Sequence, residues 1–162
     1  MSLINHRRRS ARWHGASQKV GQSAAPLFLD RIDIQCEITP VPFKDISKAA
    51  PGEPSANIRE RVIKAREIQA ARYKDYKGIH CNAQMTERMI HQFAEPNEAG
   101  IDMLRMAMEK LSLSARAYSR ILKVARTIAD LEGCEHVGLH HLAEAIGYRA
   151  LDRGDWAERG HI

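Results

Sequence analysis

From residue 55 onward, apolar side chains return every third or fourth position, a spacing that predicts helices. The first such run, "ANIRERVIKAREIQAARYKDY", follows Ser55, a residue suited to cap a helix N-terminus. Its apolar edge is thin, Ile58, Val62 and Ala65; the rest is charged, with Glu60 and Lys64 spaced for an i,i+4 pair. So narrow a stripe predicts a helix that lies on a surface or bridges two units. Asn82 can cap a short helix in "AQMTERMIHQF". Pro96 separates it from "NEAGIDMLRMAMEKL", where Ile101, Leu104, Met108 and Leu111 fall at helical spacing. Ser114 opens and Gly133 closes the clearest helix, "ARAYSRILKVARTIADLE". The last helix is "LHHLAEAIGYRALDR", and the tail after Gly154 is expected to fray.

Ahead of residue 55 the pattern changes. "IDIQCEI", Ile32 to Ile38, alternates apolar and polar side chains as a strand does, and the prolines of "TPVP" end it. "FKDISKA" suits a short helical turn and "PGEPS" a loop. One strand cannot form a sheet alone. A strand followed by five helices therefore predicts the end of a larger α/β unit, in a chain whose fold class is mainly α. Residues 1–25 lack sustained periodicity and read as disordered or foreign to the domain.

Composition narrows the picture further. Hydrophobic residues make up 44% of the 162 and aromatic ones 6%, so a core would be built mainly from Leu, Ile, Ala, Val and Met. No apolar run approaches the roughly 18 residues of a membrane helix, and nothing resembles a secretory signal. Cys36, Cys81 and Cys134 are an odd number without close spacing, which predicts reduced thiols in a cytoplasm. The net charge of +5 resembles a nucleic-acid signal until it is located. Residues 1–26 hold Arg7, Arg8, Arg9, Arg12 and Lys19 and no acid, so the remaining chain balances 20 basic residues against 20 acidic ones. The basic tail "HRRRSAR" can pair with nucleic-acid phosphates, and equally can be an unstructured appendage.

The candidate chemistry lies in the helix that Ser114 opens. On a helical wheel, Arg116, Arg120, Lys123, Thr127 and Asp130 fall in one wedge, and Ala117, Ile121, Val124, Ala125, Ile128 and Leu131 spread over the opposite half. Arg120 and Lys123 fit a solvated face as well as a functional one. Arg116 stands in the first turn, where the macrodipole disfavours a cation unless an anion such as a phosphate shares the site. His136 and His140 are four apart and His141 follows, but Gly138 intervenes and no third ligand is in view, so a cap or surface role outweighs a metal. His80–Cys81 has no partner that would make a nucleophile, and Met103, Met106 and Met108 read as core filling.

Four blocks in order, "FLDRIDI", "PGEPSANIRERVIKAREIQAARY", "IHCNAQM" and "LSARAYSRILKVARTIADLEG…HHLAEAIGYRALDR", resemble the C-terminal part of the magnesium-chelatase-like AAA+ ATPases of the competence-associated ComM type. The resemblance runs from Pro26 to about Arg153 and excludes residues 1–25. It implies the end of a AAA+ core over 26–54, a C-terminal helical lid bundle over 55–153 and a frayed tail over 154–162. Arg31 is similar to the family's arginine finger, which reaches the γ-phosphate held by a neighbouring subunit. Arg116 is similar to the sensor 2 arginine, which touches the nucleotide of its own subunit.

What the resemblance implies for the parent protein is a cytoplasmic ring, a hexamer, that binds ATP and Mg²⁺ and remodels DNA in uptake and recombination. The chain has no GxxxxGK[ST] phosphate loop and no acidic Walker B strand, so hydrolysis by this chain alone is not expected. Two other readings fit the same residues: a motor subunit for metal insertion into a tetrapyrrole, or a free-standing interaction domain presenting the charged Ser55–Tyr76 helix.

Overall fold

The computed structural model describes residues 31–36, 38, 40–41 and 51–149. The basic tail, the "FKDISKA" turn, and the end of the last run with its tail lie outside the described residues. Among the described residues five α-helices form: α1 (Ser55–Tyr73), α2 (Glu87–Phe93), α3 (Glu98–Leu111), α4 (Ala115–Leu131) and α5 (Leu139–Gly147), with a 3₁₀ turn at Asn82–Gln84 between α1 and α2. No helix among them is long and apolar enough to cross a membrane.

The ends of these helices follow local chemistry. Thr86, Asn97 and Ser114 accept from the backbone N–H of Met89, Gly100 and Ala117, which satisfies a donor that each helix start leaves unpaired. Gly133, at φ 72°, closes α4 as expected. The left-handed residue lets Cys134 N–H return to the Ala129 carbonyl at 2.8 Å. Two caps differ from the sequence reading. Ser55 is the first residue of α1, capped by Pro54 without a side-chain bond. Asn82 does not cap α2; it is buried.

α4 is the axis of the bundle and packs against α1, α2, α5 and the 3₁₀ turn, while α3 packs on α5. Its Ala117, Ala125 and Ala129 are fully buried, and side chains this small let neighbouring backbones come close. Ile121, Leu122 and Ile128 of α4 meet Leu104 of α3, Leu142 and Ala145 of α5, and Met89 and Ile90 of α2 in one core. Gly100 fits α3 against α5; a Cβ there would stand 2.6 Å from Pro96 Cβ and 2.8 Å from Leu142 Cδ1. Met103 packs on this core, but Met106 is exposed, and so is Ile101, because α3 presents only one edge. α1 buries only Ala65, Gln69 and Tyr73. Its Ile58 and Val62 are more than two-fifths exposed, so the thin stripe is thinner still.

The wheel misplaced one residue of consequence. Asp130, grouped with the polar wedge, is buried, and so is Arg126 beside it. The apolar arc of α4 is narrower than its buried arc because α1 and the 3₁₀ turn cover the flank carrying these two. Arg72 of α1 grips Asp130 with both terminal nitrogens, at 2.8 and 2.5 Å. Asn82 Nδ2 donates to it at 2.8 Å and Arg126 Nε at 3.1 Å. Arg126 also donates to the Cys134 and Glu135 carbonyls, fastening the loop after α4. Tyr73 donates its hydroxyl to Asn82 Oδ1 at 2.6 Å. The bonds from Asp130 hold Arg72 still more firmly protonated, whereas burial pulls the Arg126 guanidinium down and pushes the Tyr73 phenol up.

The strand expected over Ile32–Ile38 does not form among the described residues. Residues 31–36 run irregularly along the bundle, and Gln35 N–H bonds the Tyr148 carbonyl just past α5 at 3.0 Å. Among the described residues no neighbouring strand offers it a ladder to join.

Removing the acid at the centre should be the costliest single change to the bundle. Asp130→Ala leaves the buried Arg126 guanidinium facing the half-buried one of Arg72 without a carboxylate, an expected loss of about 3–5 kcal/mol in urea unfolding. Asp130→Asn, which keeps shape and part of the hydrogen bonding, should lose less; equal losses would show that the charge contributes nothing.

Candidate functional site

The candidate site is the opening turn of α4 together with the segment from Arg31 to Gln35. Ser114 fixes the start of the helix through Ala117 N–H at 3.2 Å, and the first turn holds no acidic residue. Arg116 stands exposed on that turn, while Ala117, the next residue, is fully buried. Packing on one side and exposure on the other give Arg116 a defined base and an outward reach. A cation there adds to the positive end of the helix, so the turn is suited to an anion.

Farther along the wedge the cations turn inward. Arg120 pairs with Asp33. Lys123 Nζ donates to the Ala83 carbonyl at 3.1 Å, and Thr127 bonds the Lys123 carbonyl at 2.8 Å while accepting from Asn82 Nδ2 at 3.0 Å. The wedge therefore runs from the exposed Arg116, through Arg120 and Lys123, to the buried Asp130. Neither Arg120 nor Lys123 is merely solvated.

Arg31 is exposed in a turn at the head of its segment. Asp33, two residues on, pairs with Arg120 of α4. Arg149, fully buried just after α5, donates to the Ile32 carbonyl. Arg31 and Arg116 thus sit on separate elements, and Arg120 of α4 lies against the segment carrying Arg31. Sequence reasoning missed Arg149 altogether; its partner is 117 residues away.

The histidine cluster resolves differently from its spacing. His136 is not part of it. Glu132 Oε2 instead meets His140 Nε2 and His141 Nε2, each at 3.0 Å, and the ligand atoms of these three side chains lie within 4.8 Å of one another. The set is that of a metal site, but His141 is committed elsewhere: its Nδ1 accepts the Gly138 N–H at 2.8 Å and caps α5. A neutral ring that accepts at Nδ1 carries its hydrogen on Nε2 and donates it to Glu132, so no lone pair is left there for a metal. The cluster acts as a cap. Cys81 is also tied locally, its thiol 3.6 Å from Gln84 Oε1, an amide that cannot draw off the proton. All three cysteines are free thiols.

The family model for magnesium chelatase, subunit ChlI C-terminal, matches residues 52–149, which covers α1 to α5. The chain is 43% identical over 127 residues to the competence protein ComM of Haemophilus influenzae, covering 78% of this chain and 24% of that protein. It is 41% identical over 127 residues to the uncharacterized protein YifB of Escherichia coli, with the same shares. An uncharacterized Mycobacterium tuberculosis protein is 33% identical over 130 residues, 80% of this chain and 25% of its own length. The chain spans about a quarter of the length of these curated relatives.

Hydrogen bonds from His140 first, and then His141, hold the Glu132 carboxyl below its ordinary value of about 4.5. A lowered acid contributes stability that is present above that ordinary value and is lost as pH falls through the lowered one. Wild type should therefore exceed Glu132→Gln in thermal stability at neutral pH, by a small margin because the site is exposed. The two melting curves should converge in acid, once pH has fallen through that lowered value; a gap that persists there would remove the carboxylate from the account.

Proposed function

The chain belongs to the magnesium-chelatase-like family of ComM type, and from that premise we propose that it is the helical lid, with a thread of the core, of a AAA+ ATPase that remodels DNA. The observation that carries the reading is the first turn of α4: an exposed arginine on a capped, acid-free helix start whose other side is locked into the core. That donor set suits a phosphate. In this reading Arg116 holds a phosphate of the nucleotide bound by its own subunit. Arg31, exposed on its turn, reaches across a subunit boundary to a transferring phosphoryl group, where a guanidinium offsets the developing charge. The nucleotide with its Mg²⁺ supplies that phosphoryl group when bound. The phosphate loop and the acid that positions the metal belong to the larger part of the parent protein.

The remaining features follow as parts of the same proposal: residues 26–54 end the core, residues 55–153 are the lid, and the parent is a cytoplasmic hexameric ring acting on DNA. The name of the Haemophilus relative, a competence protein, supports DNA as the substrate. The family's name supports the rival reading, a motor that drives magnesium into a tetrapyrrole.

The test joins the chain to its upstream sequence and measures ATP hydrolysis with and without DNA. Stimulation by DNA is expected, with Arg116→Ala raising KM for ATP and Arg31→Ala lowering kcat by about 10³-fold or more. The Arg31→Ala subunit should regain activity when mixed with one that lacks its own phosphate loop. Indifference to DNA together with stimulation by a chelatase partner would transfer the protein to the tetrapyrrole reading.

A further inference from the structure

Resting on the assignment of Arg31 as a trans-acting finger, we propose that Arg120 and Arg149 are positioning residues that tether the Arg31 segment to the lid of the same subunit, so that the lid carries the finger. Three bonds make the tether. The buried Arg149 guanidinium holds the Ile32 carbonyl, the neighbour of Arg31. Arg120 of α4 holds the Asp33 carboxylate two residues on. Gln35 N–H bonds the Tyr148 carbonyl at 3.0 Å, and Gln35 is itself buried. The Arg120 and Arg149 bonds span sequence separations of 87 and 117 residues, so they fix the segment to α4 and to the turn after α5.

The three bonds differ in what they do. An ion pair as open as Arg120–Asp33, with the aspartate half-exposed, cannot order a segment alone. A charge-assisted bond from a buried guanidinium to a backbone carbonyl is stronger and leaves little rotational freedom. Arg149 and Gln35 therefore fasten the backbone on either side, and Arg120 sets its rotation by holding the side chain between them. Arg31, directly before the tethered Ile32, is exposed. Arg116 and Arg120 lie one turn apart on α4, so a shift of α4 around a nucleotide at Arg116 moves Asp33, and with it Arg31. The geometry couples the nucleotide side of one subunit to the finger that it offers the next.

The experiment has two arms. In this chain, ¹⁵N relaxation at the Arg31, Ile32 and Asp33 amides should report ordered backbone. Order should fall in Arg120→Ala and return in the charge swap Asp33→Arg with Arg120→Asp; Arg149→Lys tests the second anchor without removing its charge. In the protein joined to its upstream sequence, Arg120→Ala should lower kcat by about 10- to 100-fold, leave KM for ATP unchanged and be rescued by the swap. A change confined to KM would make Arg120 a nucleotide contact and overturn the proposal. So would unaltered amide order, or unaltered kcat in a background where Arg31→Ala is inactive. If Arg31→Ala is itself fully active, the finger assignment fails and takes the catalytic meaning of the tether with it, whatever the relaxation data show.

Discussion

Everything in this bundle turns around Asp130. A carboxylate taken wholly out of water is stable only when its lone pairs are filled by donors, and here the donors come from three places: Arg72 on α1, Asn82 on the 3₁₀ turn and Arg126 on α4 itself. Each satisfied donor is also a constraint. α1 has too few apolar contacts to be held by burial alone, and the bidentate grip of Arg72 sets its register along α4. The 3₁₀ turn is held through Asn82, whose oxygen and nitrogen are both used. The loop leaving α4 is held through Arg126. One acid thus fixes the rotation of the central helix against its neighbours.

That rotation decides which side chains of α4 remain available. With Asp130 and Arg126 turned inward at one end, Arg120 and Lys123 fall at the margin and Arg116 faces outward at the other. The helix is divided between a structural end and an accessible one. The two ends are linked by a continuous row of polar side chains along one edge, each bonded to the chain around it. A rigid helix of this kind transmits a push at its first turn to every element that it touches.

The exposed flank of α1 belongs to the same picture. Ile58, Val62 and Ile63 stand open on a helix whose other faces are charged, and the chain spans about a quarter of its relatives. A stripe this thin leaves α1 at the surface of the bundle, one of the two placements its pattern allowed.

Much of this was legible in the residues. Helical spacing located all five helices, Ser114 and Gly133 marked the ends of α4, and the ordered blocks pointed to the family, because periodicity, capping and motif order are local properties of a chain. Other features were not. Asp130 lies on the polar wedge of a wheel, yet it is buried, because a wheel records hydrophobicity and not what packs over each side. Asn82 has the chemistry of a cap and serves as a core donor instead. The Ile32–Ile38 alternation needs a partner strand that these residues do not contain. The partners of Arg72, Arg120 and Arg149 are 58, 87 and 117 residues away, and no local pattern encodes a pairing at that range. The sequence by itself determined where the helices are, how α4 is capped and what family they form. The tertiary structure alone decided which charges are buried and which hold one another, because desolvation and pairing depend on neighbours that only folding brings together.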